Sequence, residues 1–99
     1  MINNLSQLKK AINNGAIFII IKHYIKPEYT AQIRKPNKIQ TNGFYSIVPG
    51  DSENPVTKAN DGKGSWIGYG KASDWTFENG ICTQYYHGRA VWEIQVVEQ

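Results

Sequence analysis

The pattern of hydrophobic and polar positions is clearest in residues 62–97, where it predicts an antiparallel meander of three strands. Asn79-Gly80 favours a two-residue type I′ turn, which would pair Phe77 with Cys82. A three-residue turn at residues 87–89 would pair Tyr86 with Ala90. Because side chains alternate between the faces of a strand, one face then collects the apolar residues Trp75, Phe77, Cys82, Tyr86, Ala90, Trp92, Ile94 and Val96.

The first quarter of the chain predicts one helix followed by an apolar strand. Asn4 is a favourable N-cap, and Gly15 fits the position just after a helix. The helix face would carry the apolar residues Leu5, Leu8 and Ile12. Residues 16–25 predict a central strand, because the first residues of this run are apolar on both faces.

The middle of the chain predicts shorter strands and one long loop. Residues 29–34 alternate as a half-exposed strand, and Pro36 confines the residues after it to a sheet edge or a bulge. Asn42-Gly43 predicts a second type I′ hairpin. Residues 49–63 form a polar loop, and residues 65–69 form a strand.

These elements predict an α+β protein with a single domain over residues 1–99. One N-terminal helix would pack on a curved antiparallel sheet of about five or six strands, with the three-stranded meander at the C-terminal end. A small SH3-like partial barrel is the alternative arrangement.

Charge is distributed unevenly along this chain of net charge +3. Residues 1–40 hold seven basic residues and one acidic residue, whereas residues 41–99 hold four basic and seven acidic residues. If the basic residues cluster in space, they would attract nucleic acid or an acidic protein surface.

Composition argues against several classes of protein. The single cysteine excludes an internal disulfide, and its place on the apolar face predicts a buried, inert thiol. No apolar run approaches the roughly 20 residues of a membrane span, and we expect a cytoplasmic protein. The Walker pattern for phosphate binding requires glycine at the position that Thr57 occupies. Two histidines, His23 and His87, are weak evidence for a metal site. We therefore expect neither a cofactor nor a metal.

Asp74, Glu78 and Glu93 are the candidate acids and bases of the meander. Nothing in their spacing pairs them at a defined distance, as a hydrolase would require. We expect a protein that is not an enzyme, and a small hydrolase is the third interpretation.

Basic and aromatic residues that occur together are the clearest indication of a binding surface. Such surfaces hold single-stranded nucleic acid by stacking and charge, and they also form energetic centres of protein interfaces. The predicted partner-binding residues are Lys22, Lys26, Arg34, Lys35, Lys38, Tyr45, Lys58, Lys63, Tyr69 and Tyr85.

The stretches QTNGFY and GSWIGYGKASDWTFENG, after a short helix and an apolar strand, resemble small accessory proteins of phages and mobile elements in Gram-positive bacteria. Some of these are anti-CRISPR inhibitors. The resemblance implies a stoichiometric inhibitor that binds a host effector protein, such as a complex of nuclease and guide RNA, in the host cytoplasm. Many anti-CRISPR proteins are acidic DNA mimics, whereas this chain is basic. The alternative is a small basic protein that binds single-stranded nucleic acid.

Overall fold

The computed structural model describes residues 1–24, 32–47 and 65–97, and they form an α+β fold. The elements are α1 (Leu5–Asn13), β1 (Phe18–His23), β2 (Gln32–Arg34), β3 (Asn37–Gln40), β4 (Gly43–Ile47), β5 (Ser65–Gly68), a 3-10 turn (Ala72–Asp74), β6 (Trp75–Glu78), β7 (Ile81–Tyr86) and β8 (Arg89–Val96).

The strands divide between two antiparallel sheets, whereas the sequence predicted one curved sheet. The first sheet has the order β2-β1-β8-β7-β6, and the second has the order β3-β4-β5. Pro36 lies between β2 and β3. Because proline lacks an N–H group for the ladder, the chain leaves the first sheet at this point and starts the second.

Helix α1 confirms the predicted cap and apolar face. The Asn4 side chain accepts a hydrogen bond of 2.9 Å from the Gln7 N–H, which satisfies one of the free donors of the first turn. Gly15 follows the helix with φ +78°, a conformation that favours glycine. The buried residues of the helix are Leu5, Leu8 and Ile12.

Aromatic residues join the two sheets in what we call the inter-sheet core: Phe18, Phe44, Tyr69 and Trp75. The ring of Phe44 lies 5.4 Å from that of Phe18 and 5.9 Å from that of Tyr69. The Tyr69 carbonyl accepts hydrogen bonds from Trp75 Nε1 at 2.6 Å and from Gln84 Nε2 at 3.3 Å. The end of β5 is therefore fixed to the first sheet by packing and by hydrogen bonds.

The first hairpin of the meander has the predicted register. Phe77 pairs with Cys82, and Asn79 and Gly80 adopt φ of 53° and 78°. These are the positive angles of a type I′ turn. Cys82 is buried, as predicted.

The second hairpin differs from its prediction. Its loop has two residues, His87 and Gly88, with φ of 51° and 75°, so Tyr86 pairs with Arg89 and not with Ala90. The register shifts between Gln84 and Tyr85. Histidine tolerates positive φ better than most residues with a Cβ, which permits the tighter turn.

The hairpin predicted at Asn42-Gly43 is confirmed, since β3 and β4 pair antiparallel, but its turn type was predicted wrongly. Gln40 pairs with Gly43, so the loop consists of residues 41–42, and neither Asn42 nor Gly43 adopts the positive φ of a type I′ turn. Gly43 is required for another reason. A Cβ at this position would overlap the Ile67 carbonyl oxygen and the Trp66 ring, so glycine permits close approach of β4 to β5.

Strand β1 lies between β2 and β8, which confirms its predicted central place. Its outer face is only partly covered, and Ile17 beside it is 37% exposed. An irregularity between Ile20 and Lys22 interrupts the alternation of faces. His23 consequently joins the buried side of the sheet, where its ring lies 5.4 Å from that of Trp92.

Candidate recognition surface

Exposed tyrosines gather at one end of the first sheet. Tyr24 follows the end of β1, Tyr85 and Tyr86 end β7, and Arg89 begins β8. The exposed fractions of the three tyrosines are 42%, 37% and 68% in sequence order. We call this end of the sheet the tyrosine surface and define it as Lys22, Tyr24, Tyr85, Tyr86, Arg89 and Glu93.

Charged neighbours hold Tyr24 in place on this surface. The Tyr24 hydroxyl donates a hydrogen bond of 3.1 Å to Glu93 Oε2, and Lys22 Nζ lies 4.5 Å from the centre of the Tyr24 ring. The hydrogen bond to Glu93, with smaller contributions from burial and from the charges of Glu93 and Tyr85, raises the pKa of Tyr24. A tyrosine hydroxyl is already protonated at neutral pH, and the raised pKa keeps Tyr24 a hydrogen-bond donor further into alkaline solution.

Two register irregularities set the directions of these side chains. One lies in β1 just before Lys22, and Lys22 consequently pairs with Glu93. The other lies just before Tyr85, which pairs with Ala90. Irregularities of this kind re-aim side chains at the ends of strands. They bring Lys22, Tyr24 and Glu93 into contact, with Tyr85 close enough to interact electrostatically with Tyr24.

Tyr86 borders a groove of about 410 Å³. Its ring makes an edge contact with that of His87, at a centroid distance of 4.1 Å. Trp92 and Val91 also line the groove, and Asp74 supplies a carboxylate. The Asp74 Oδ2 accepts a hydrogen bond of 3.0 Å from the Lys71 N–H. This bond fixes the carboxylate at the start of β6.

Of the residues predicted to bind a partner, Lys22 and Tyr85 belong to the tyrosine surface. Lys35 follows β2 beside the start of β1, so it is separated from Lys22 by the length of β1, roughly 15 Å. Arg34 pairs with Phe18 at the same end as Lys35. The predicted basic residues of the first sheet are therefore not one cluster.

Lys38 and Tyr45 lie in the second sheet, where Lys38 Nζ is 5.9 Å from the centre of the Tyr45 ring. Lys26, Lys58 and Lys63 lie outside the described residues, as does the predicted loop of residues 49–63.

Tyr69 corrects the prediction of an exposed partner-binding tyrosine, because it is only 2% exposed. The chain turns inward after β5, and the Tyr69 N–H donates a hydrogen bond of 2.9 Å to the Asn42 carbonyl. The side chain packs on Phe44 and lies 5.3 Å below Lys9 Nζ. Burial raises the pKa of Tyr69 to about 12. Its hydroxyl has no hydrogen-bond partner among the described residues.

Sequence reasoning missed Tyr86 and Arg89 as surface residues. Strict alternation placed Tyr86 on the apolar face, but the shift at Gln84–Tyr85 and the tight His87-Gly88 loop place it beyond the core. The signal in the sequence was the His-Gly pair between two strand patterns, which also fits a two-residue turn.

The remaining candidates for chemistry are a buried thiol and two widely separated carboxylates. Burial raises the pKa of the Cys82 thiol to about 12, so little of the reactive thiolate is present at neutral pH. Asp74 and Glu78 flank β6, roughly 13 Å apart along the strand. In the described ranges, no three residues of the types His, Cys, Asp and Glu come together as a metal site.

Comparison of the chain with protein-family models, with curated proteins and with solved structures found no match. Within the described residues, no helix has both the length and the apolar character that a membrane crossing requires.

Proposed function

We propose that this protein is a non-enzymatic binding protein that recognises a protein partner through the tyrosine surface. The single observation that carries the proposal is the grouping of Tyr24, Tyr85 and Tyr86, all more than a third exposed, beside Arg89. Tyrosine and arginine are enriched at the energetic centres of protein interfaces. Tyrosine offers a large contact area and loses little conformational entropy on binding.

The arrangement also supports binding without a large change of shape. Tyr24 is held by Glu93 and Lys22, and Tyr86 is in ring contact with His87. Side chains that are already fixed lose less freedom when a partner binds. Lys22 and Arg89 around the tyrosines would favour a partner surface that carries acidic groups.

For the identity of the partner we propose a host defence effector, and specifically the nuclease of an RNA-guided complex. This step rests on the resemblance to small accessory proteins of phages and mobile elements. The protein would inhibit by occupying a surface of the effector that cleavage requires, at a stoichiometry of one inhibitor per effector. The site of action would be the cytoplasm of the host cell.

The test is DNA cleavage by a panel of purified RNA-guided nucleases from Gram-positive bacteria, with increasing amounts of this protein. Tyr85→Ala is the test variant, and Ile39→Ala in β3 is its matched control, since these side chains are 37% and 39% exposed. We expect at least one nuclease to be inhibited and Tyr85→Ala to require about tenfold more protein. Ile39→Ala should inhibit like the unchanged protein.

Two results would count against this proposal. If no nuclease in the panel were inhibited, the proposed partner would be wrong. If Tyr85→Ala and Ile39→Ala inhibited equally well, the tyrosine surface would not be the recognition site.

Binding of single-stranded nucleic acid is the second candidate function, favoured by the lysine–tyrosine contacts of Lys22 with Tyr24 and Lys38 with Tyr45. Tyr24, with Lys22 over one face of its ring, offers its other face for stacking on a base, whereas the Tyr45 ring also contacts that of Trp66 at 5.1 Å. Titration of single-stranded DNA and RNA at low and high salt separates the two functions. Phosphate contacts would make the affinity fall steeply with salt. Lys22→Gln would reduce the slope of the logarithm of affinity against the logarithm of salt concentration by about one unit.

A further inference from the structure

The groove beside Tyr86 has the character of a site for a polypeptide segment. Its volume of about 410 Å³ falls within the range of ligand sites, on the order of 300–1,000 Å³. Aromatic and aliphatic side chains form its walls, namely Tyr85, Tyr86, Val91 and Trp92. Tyr86 is 68% exposed, so most of its surface remains accessible to a ligand.

The backbone along the groove is already engaged. Gln84 Nε2 donates a hydrogen bond of 2.9 Å to the Gly68 carbonyl, and β7 is paired with a neighbouring strand on each side. β7 therefore offers a ligand no open ladder to extend as an added strand. A segment that lies along β7 binds through its side chains, against the aromatic walls.

Glycine keeps one wall of the groove open. Gly70 has φ +60°, and a Cβ at this position would lie 2.8 Å from Asp74 Oδ2, which is too close for an ordinary contact. Any larger residue would push against the carboxylate or displace it. The Asp74 carboxylate thus stays at the groove, where it favours a cationic group on the ligand.

We infer that this groove binds an extended proline-rich segment that carries a basic residue beside its prolines. Polyproline II segments have no internal hydrogen bonds and lose little conformational entropy on binding, so they suit the aromatic wall of a strand such as β7 that has no free edge. Prolines pack on Tyr86 and Trp92, and the basic residue pairs with Asp74. The inference rests on the proposed function, since it names the segment by which a protein partner is recognised.

The test uses synthetic peptides with a Pro-x-x-Pro core. One set has flanking arginine, a second set has flanking glutamate, and a third set has alanine in place of every proline. Binding is followed by chemical-shift changes in the ¹⁵N-labelled full-length protein, including the indole N–H signal of Trp92. Ile39, in the second sheet, provides the reference signal.

We expect the arginine peptides to shift the signals of Trp92 and Gly70 and to leave Ile39 unchanged. Tyr86→Ala should weaken this binding about tenfold. Asp74→Asn keeps an oxygen that can accept from the Lys71 N–H, and it should reduce the preference for arginine over glutamate peptides by about two- to fivefold.

Equal binding of the proline and alanine peptides, or no binding by either, would overturn the inference. If the peptides did not bind while nuclease inhibition still depended on Tyr85, the proline-rich ligand of the groove would be wrong and the proposed function would stand. Peptide binding that depended on Tyr86, without inhibition of any nuclease, would support the groove and contradict the proposed partner.

Discussion

The inter-sheet core and the tyrosine surface are both built from aromatic side chains, but their surroundings differ. In the core, Phe44 packs on Phe18 and Tyr69 between two sheets, with Trp75 bonded to the Tyr69 carbonyl. On the tyrosine surface, Tyr85 and Tyr86 extend past the last inward-facing residues of β7. The same class of side chain therefore stabilises the fold in one region and remains available for recognition in the other.

Residue type alone does not separate these roles. Tyr69 and Tyr86 both lie at or just past the end of a strand. The carbonyl of Tyr69 is bonded by Gln84 from the opposite sheet, which pulls the residue into the core, whereas a two-residue loop follows Tyr86. Cross-sheet hydrogen bonds and local register decide which tyrosine is buried.

Phe44→Ala should have the largest effect on stability. Phe44 is 0% exposed and contacts both sheets, so its loss should lower the free energy of unfolding by about 3–5 kcal/mol. Urea denaturation followed by tryptophan fluorescence measures this change. A loss below about 1 kcal/mol would show that Phe44 does not join the sheets.

Alkaline pH should destabilise the core through Cys82. Its thiol has an ordinary pKa of 9.0, which burial raises to about 12, so the unfolded chain loses this proton first. This thiol leaves stability unchanged below about pH 9, and between pH 9 and 12 it should lower stability by up to about 1.4 kcal/mol per pH unit. Urea denaturation at successive pH values measures the fall.

Cys82→Ala is the control for this pH dependence. The remaining dependence should begin near pH 10, where Tyr69 titrates in the unfolded chain, because its folded pKa is about 12. If the variant and the unchanged protein lost stability in parallel from pH 9, the assignment to the thiol would be wrong.

Trp75→Phe tests the hydrogen bond between the two sheets. The change removes the 2.6 Å bond to the Tyr69 carbonyl and keeps an aromatic ring beside Phe77. We expect a loss of about 1–3 kcal/mol in the free energy of unfolding. The Gln84 bond to the same carbonyl should limit the loss, and the double variant with Gln84→Ala should cost more.

Tyr69→Phe should change stability in the opposite direction, or not at all. The Tyr69 hydroxyl is buried without a partner among the described residues, so its removal relieves a desolvation cost. We expect a gain between zero and about 1 kcal/mol. A clear loss, measured in the same urea experiment, would mean that the hydroxyl has a partner in solution.

Tyr86→Ala should have the smallest effect on stability, below about 0.5 kcal/mol, because the side chain is 68% exposed. Together with its expected effect on peptide binding, this result would separate recognition from folding most sharply. A loss above about 2 kcal/mol would mean that Tyr86 stabilises the fold, as the residues of the inter-sheet core do.

Local sequence patterns predicted much of the fold. The Asn4 cap, the apolar helix face and the Asn79-Gly80 turn are short-range signals, each contained within about a dozen residues, and the structure confirms all three. The division into two sheets was not predictable in this way. It depends on contacts such as that between Phe18 and Phe44, which are distant in sequence.

The candidate site was harder to predict than the fold. Lys22 and Tyr85 were identified from composition. Their association depends on two register irregularities, which cannot be predicted by assuming that side chains alternate strictly between faces. The same limit explains the error at Tyr69, whose ring packs on Phe44 and whose carbonyl accepts bonds from Trp75 and Gln84. Pairing between strands, and not local pattern, determines this surface.

Amide hydrogen exchange, measured on the protein alone and in complex with a nuclease that it inhibits, locates the recognition site along the chain. If the tyrosine surface is the recognition site, exchange should slow in residues 22–24 and 84–93 and stay unchanged in residues 37–45. Protection confined to residues 37–45 would place the recognition site on the second sheet and not on the tyrosine surface.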